Sequence, residues 1–124
     1  MSARLELAPE ERDELARLLG DDSLGALLQD WSRLVTEVER GYDDSIYEYT
    51  NDLSVRARLD RVIAGASAGL RAQLERALAE DDRRFAAATE EAARPLGSSR
   101  WAQRVPTRRT GELAEDLAAL GYLA

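Results

Sequence analysis

The chain contains no cysteine, no histidine and no lysine. Without thiols there is no disulfide, thiolate nucleophile, iron-sulfur ligand or cysteine-based zinc site, and without imidazole the commonest general base and metal ligand are gone. The lack of lysine removes Schiff-base chemistry and a P-loop lysine. All 17 cationic side chains are arginine, a bias that GC-rich coding produces without any function. Strongly apolar residues are scarce as well. Leu, Ile, Val and Phe make up 27 of 124 residues, close to the composition at which charged chains stay unfolded, so the core is thin.

Long apolar runs are also missing. The longest uncharged apolar-rich stretch, Val62 to Leu70, is far short of the roughly 20 residues that cross a bilayer. The opening Met1-Ser2-Ala3-Arg4-Leu5-Glu6-Leu7 lacks the apolar centre of a secretory signal. These features lead us to expect a cytoplasmic protein that does not enter the membrane. The net charge of −7 opposes general binding to nucleic acid or to anionic lipid.

What the chain does have is alanine, with 21 copies, together with two tryptophans and four tyrosines. Small residues and good helix formers favour close helix packing over sheets. The expected architecture is all-α, a single domain over residues 1–124 built as an irregular bundle of five to six helices. Pro9-Glu10-Glu11 opens the first helix, whose stripe of Leu15, Leu18 and Leu19 ends at Gly20. Asp22 or Ser23 caps a second helix carrying Leu24, Leu27, Leu28, Trp31, Leu34, Val35 and Val38 on one face as far as Gly41, which makes Trp31 a core residue.

Asp43 or Asp44 caps a third helix on which Tyr42, Ile46, Tyr49 and Leu53 recur at steps of four, three and four. The apolar phase shifts near residues 52–54, which predicts a kink or a second short helix through Val55, Leu59, Val62 and Ile63. After the Gly65-Ala66-Ser67-Ala68-Gly69 break, a long alanine-rich helix runs to about Arg94, interrupted at its centre by Asp81-Asp82 and stopped by Pro95. Residues 95–109 show no period. Thr107 or Thr110 then caps a last helix carrying Leu113, Leu117 and Leu120, with Gly121 closing it and Tyr122 and Leu123 folding back or fraying.

Charge is unevenly distributed. Residues 42–53 carry −4 and residues 95–109 carry +4. On the third helix Asp44, Glu48 and Asp52 stand at i, i+4 and i+8, with Tyr47 on their side. Three stacked like charges need an internal counter-charge, for which Arg56 is the nearest candidate, or solvent, or a partner. As a recognition surface, Tyr47 and Tyr42 supply stiff anchoring area, the three carboxylates steer a basic partner, and Asn51 and Thr50 offer specific hydrogen bonds.

The basic stretch holds Arg94, Arg100, Trp101, Arg104, Arg108 and Arg109. The residues Arg100, Trp101, Arg104, Arg108 and Arg109 could grip an anion, or Trp101 could plug the core while the arginines satisfy helix ends and acidic neighbours. No motif points to catalysis. The Gly65 to Gly69 stretch has neither a preceding strand nor a histidine to make a nucleophile elbow. A carboxylate row without further ligands does not cage a metal, so neither metal nor cofactor is expected.

The function that fits is a small acidic protein-binding module. Its concrete form is an inhibitor of the bacterial immunity or antitoxin type, docking its acid-and-tyrosine surface on a basic protein partner. An adaptor or accessory subunit is the alternative within binding proteins, and a small-ligand or anion-binding domain using the basic stretch is the alternative outside them. Oligomeric state is open, since the long alanine-rich helix could pack within the bundle or against a second copy.

Overall fold

The computed structural model describes residues 5–123. Residues 1–4, on which the signal-peptide reading partly rests, and Ala124 lie outside the described residues. Five helices account for most of the chain: α1 (Pro9–Leu19), α2 (Leu24–Arg40), α3 (Ile46–Gly65), α4 (Ala68–Ala88) and α5 (Gly111–Ala119). Between the last two lie strand β1 (Thr89–Glu91), a 3-10 helix (Arg100–Gln103) and strand β2 (Arg104–Pro106). The strands pair antiparallel, with Glu90 opposite Val105. The fold is all-α, a helical bundle with a two-stranded ribbon.

The first two helices form as their sequences dictate. Glu11 reaches back to accept the Ala8 backbone N–H, and Ser23 accepts from Ala26 at the start of α2. On α2, Leu27, Trp31, Leu34, Val35 and Val38 are buried, which places Trp31 at the centre of the core. Trp31, Phe85 and Trp101 meet there, with ring centroids 5.0 to 5.8 Å apart in tilted and edge-on geometries.

The third helix departs from expectation in three ways. Its cap is Ser45, whose hydroxyl accepts the Glu48 N–H at 3.2 Å, so neither Asp43 nor Asp44 caps it. Tyr42 lies outside the helix, bridged to Arg109 and buried against Tyr49 with ring centroids 5.2 Å apart. The helix is also continuous for 20 residues. Thr50 and Ser54 turn their hydroxyls back onto the carbonyls of Ile46 and Asn51 instead of breaking the helix. The shift in apolar phase reflects a wide buried arc, because α3 packs against α1, α2, α4, α5 and the 3-10 helix.

Helix α4 ends at Ala88, well before Arg94. Thr89 caps the Phe85 carbonyl with its hydroxyl, and the following residues leave the helix to pair with β2. The sequence Glu90-Glu91-Ala92-Ala93 reads as helix locally, and a pairing partner 15 residues away overrides it. Asp81 and Asp82 do not interrupt α4; they point at arginines of neighbouring turns and helices. Thr110 is the N-cap position of α5, and Gly111 follows it at φ +56. A Cβ at Gly111 would lie 2.8 Å from the Asp43 carbonyl oxygen, so glycine is what lets α5 approach the α2–α3 connection. Leu113 and Leu117 are buried, whereas Leu120 is half exposed. Tyr122 folds back, its carbonyl accepting from Ala93.

Candidate functional site

The acidic face is built from two helices and the turn between them. Asp43 and Asp44 lie in the turn, Asp52 on α3, and Glu37, which the sequence did not single out, on the last turns of α2. Tyr42 donates its hydroxyl to Asp52 Oδ2 at 2.8 Å. Burial first, then that bond and the charges of Asp52, Asp44 and Glu37, raise the Tyr42 phenol above its ordinary range, so it stays a neutral donor. Its ring is buried, which removes Tyr42 from the surface as an anchor. Asp44 accepts the Ser45 backbone N–H at 2.7 Å.

The row of three carboxylates is split. At 100° per residue Tyr47 shares a face with Asn51, while Asp52 lies about 140° from Tyr47 and turns toward Tyr42 and α2. Asp44 precedes the helix altogether. Tyr47 is 83% exposed, the most exposed large apolar side chain among the described residues. Between α2 and α3 runs a groove of about 350 Å³ lined by Glu37, Asn51, Asp52 and Ser54 and also by Asp30, Arg33 and Arg58. A second groove of about 360 Å³ continues from Glu37 and Asp52 past Asp43 and Asp44.

Partial burial and then the Asp52 charge raise the Glu37 carboxyl above its ordinary value against an opposing pull from Arg33, with smaller upward contributions from Asp43 and Asp44. A carboxyl raised in the folded state favours folding only when protonated, so its contribution is present below the unfolded value near pH 4 and lost as pH rises through the folded one. Glu37→Gln should therefore raise the melting temperature at pH 7 by a degree or more, and the gain should vanish below about pH 4. Melting curves of both proteins from pH 3 to 8 check this.

Arg56 does not answer the acidic row. It lies in the core, 2% exposed, and ties two other carboxylates together. Its Nε and Nη2 donate to Asp82 Oδ1 and Oδ2 at 3.0 and 2.8 Å, and its Nη1 donates to Asp60 at 2.8 Å. Trp31 Nε1 donates to Asp82 at 3.0 Å, and Trp101 Nε1 donates to Asp60 at 2.7 Å. Burial alone would raise the Asp60 carboxyl; the Trp101 and Arg100 hydrogen bonds and the Arg56 charge outweigh it and hold it below its ordinary value. The signal in the sequence was an arginine at an apolar position of α3, three residues from Leu53 and from Leu59, with Asp60 at i+4.

The basic stretch is largely engaged. The Arg56 and Arg100 guanidinium carbons lie 4.3 and 4.5 Å from the Trp101 ring centroid. Arg100 also reaches Asp60 at 3.3 Å. Arg104 donates to the Thr89 hydroxyl and carbonyl, each at 2.8 Å. Arg109 binds Glu90 and the Pro106 carbonyl. Arg94 caps the Leu120 carbonyl and covers Tyr122. Arg108 makes one long bond, 3.3 Å, to the Glu39 carbonyl. Among the described residues no group of three or more metal-ligating side chains is placed to hold a metal ion. No described helix is long and apolar enough to cross a membrane. No protein-family model, curated protein or solved structure matches the chain.

Proposed function

We propose that this chain is a cytoplasmic protein-binding module that docks its α2–α3 acidic face on a basic protein partner, as an inhibitor of the immunity or antitoxin type. The observation that carries this reading is Tyr47, a large aromatic at 83% exposure in the first turn of α3, next in sequence to the α2–α3 turn that holds Asp43 and Asp44. Burying a tyrosine under a partner gains area at small entropic cost, and such residues dominate binding energy in protein interfaces. Asp52, Asp43 and Asp44 each repel Glu37. A cationic surface laid over them relieves that repulsion and is drawn in by it. Such a module needs no chemistry of its own, because covering the cationic substrate groove of a partner is enough to block it. Anion binding by the basic stretch draws less support, since Arg100, Arg104 and Arg109 already serve internal acceptors.

The test is capture of partners by the tagged protein at low and high salt, followed by affinity measurement on the purified pair. Tyr47→Ala should weaken binding by at least roughly tenfold with an unchanged melting temperature, and Glu48→Ala with Asp44→Ala should slow association and flatten its salt dependence. A captured partner that is acidic, or one whose affinity ignores Tyr47 and salt, would overturn this reading. A partner that keeps its own activity while bound would make the chain an adaptor instead of an inhibitor.

A further inference from the structure

The groove between α2 and α3 carries charge of both signs. Its lining includes the carboxylates of Asp30, Glu37 and Asp52 and the guanidinium groups of Arg33 and Arg58. The two helices run antiparallel: Asp22, just before α2, reaches Arg58, and Tyr42, just after it, reaches Asp52. Chain order therefore puts Arg33 and Arg58 toward the start of α2, and Glu37 and Asp52 toward its end. At 1.5 Å per helical residue, Arg33 and Glu37 stand roughly 6 Å apart along α2, and Arg58 and Asp52 roughly 9 Å apart along α3. Leu34 and Val55, both buried, complete the lining between those ends.

Neither end is held fast within the chain. The Glu37 carboxylate makes no hydrogen bond or ion pair among the described residues. Asp52 receives the Tyr42 hydroxyl on Oδ2, which orients its carboxylate and leaves Oδ1 open. At the other end Arg33 meets Asp30 at 3.5 Å and Arg58 meets Asp22 at 3.4 Å. Long, solvent-facing pairs of this kind contribute little, so either arginine can turn to a bound carboxylate at small cost. Three carboxylates against two guanidinium groups leave the groove one negative charge in excess. A neutral zwitterion leaves that excess standing, whereas a ligand with two cations and one anion cancels it.

We propose that this groove binds a free basic α-amino acid of the arginine type, with its α-carboxylate against Arg33 and Arg58, its α-ammonium group toward Asp30 and its side-chain cation between Glu37 and Asp52. A planar guanidinium fork suits two carboxylates on two helices better than a single ammonium does. The aliphatic stem lies over Leu34 and Val55. Asn51, whose side-chain amide has no partner among the described residues, offers a hydrogen bond at the anionic end. Only a ligand with opposite charges that far apart engages both ends at once. The site requires no protein partner, and it shares Glu37 and Asp52, but not Tyr47, with the docking face.

Isothermal titration calorimetry with L-arginine up to about 10 mM, at constant ionic strength, tests this. Saturable one-to-one binding is expected. L-Argininamide, which lacks the carboxylate, and L-citrulline, which lacks the side-chain charge, should each bind at least roughly tenfold more weakly. Arg58→Gln should weaken L-arginine about tenfold and leave L-argininamide unchanged, while Glu37→Gln should weaken L-arginine about tenfold and leave L-citrulline unchanged. Arg33→Gln serves at the cationic end if circular dichroism shows that Arg58→Gln disturbs the fold. Tyr47→Ala should leave all these affinities as they are, so failure of this site and failure of the docking face are read separately. Absence of saturable binding, or equal affinities for the three ligands, would overturn the proposal. Equal binding of N-acetyl-L-arginine and L-arginine would overturn it too, because Asp30 would then meet no ammonium group and the ligand would be the last residue of a peptide.

Discussion

Arg56→Ala should cost about 3–5 kcal/mol of folding free energy, lowering the melting temperature by roughly 10–20 °C. The side chain is 2% exposed and makes three charge-assisted hydrogen bonds to Asp60 and Asp82. Removing it leaves two partly buried carboxylates facing each other and a hole beneath Trp101, and both effects add. Combining Arg56→Ala with Asp82→Ala should cost less than the two single changes together, since the second charge is no longer stranded. Urea denaturation of the four proteins in this cycle measures that coupling, expected at about 1–3 kcal/mol. Additive losses would mean that Arg56 acts as packing alone. The pH dependence carries the same signature. The Asp60 carboxyl is held below its ordinary value, so its stabilising contribution is present above the unfolded value near pH 4 and lost as pH falls through the folded one. Without Arg56 one of the charges that holds Asp60 down is gone, so the acid loss from Asp60 should still begin near the unfolded value but be smaller and complete at a higher pH.

Trp101→Ala should be nearly as severe, at about 3–5 kcal/mol. This tryptophan closes the core against Trp31 and Phe85, donates to Asp60 at 2.7 Å and lies between the guanidinium groups of Arg56 and Arg100. Trp101→Phe keeps a ring in the gap and loses the indole N–H, so a cost of about 1 kcal/mol is expected. The pair of variants separates a core plug from a ligand-gripping loop. If Trp101 served only a ligand, both would melt within a degree or two of the wild type and lose binding instead. Thermal melts with no ligand present decide between the two.

Much of the bundle was legible because helix periodicity is a local property. Leu24 through Val38 repeat at helical steps, and α2 follows them from Ser23 to Gly41. The same reading failed wherever a distant partner overrode a local preference. Tyr42 is spaced to sit on α3, yet it leaves the helix because Arg109 and the residues around it pair with its backbone. Residues 89–91 would continue α4, yet they pair with β2 across a connection that shows no pattern of its own. The acidic segment was visible as a run of charge, but its geometry was not. Asp52 turns to Tyr42, and Glu37 joins the group from another helix.

The composition by itself determined the class of this protein: helical, acidic, and without the thiol, imidazole and amine chemistry that common active sites use. Those properties follow from which residues are present and how they recur over a few turns. Tertiary structure alone decided where the charges went. It buried Arg56 among tryptophans, spent most of the basic stretch on internal acceptors, and left Tyr47 outside. A charge in sequence acquires its role from what lies within hydrogen-bonding distance across the fold, and that distance is set by packing between helices far apart in the chain.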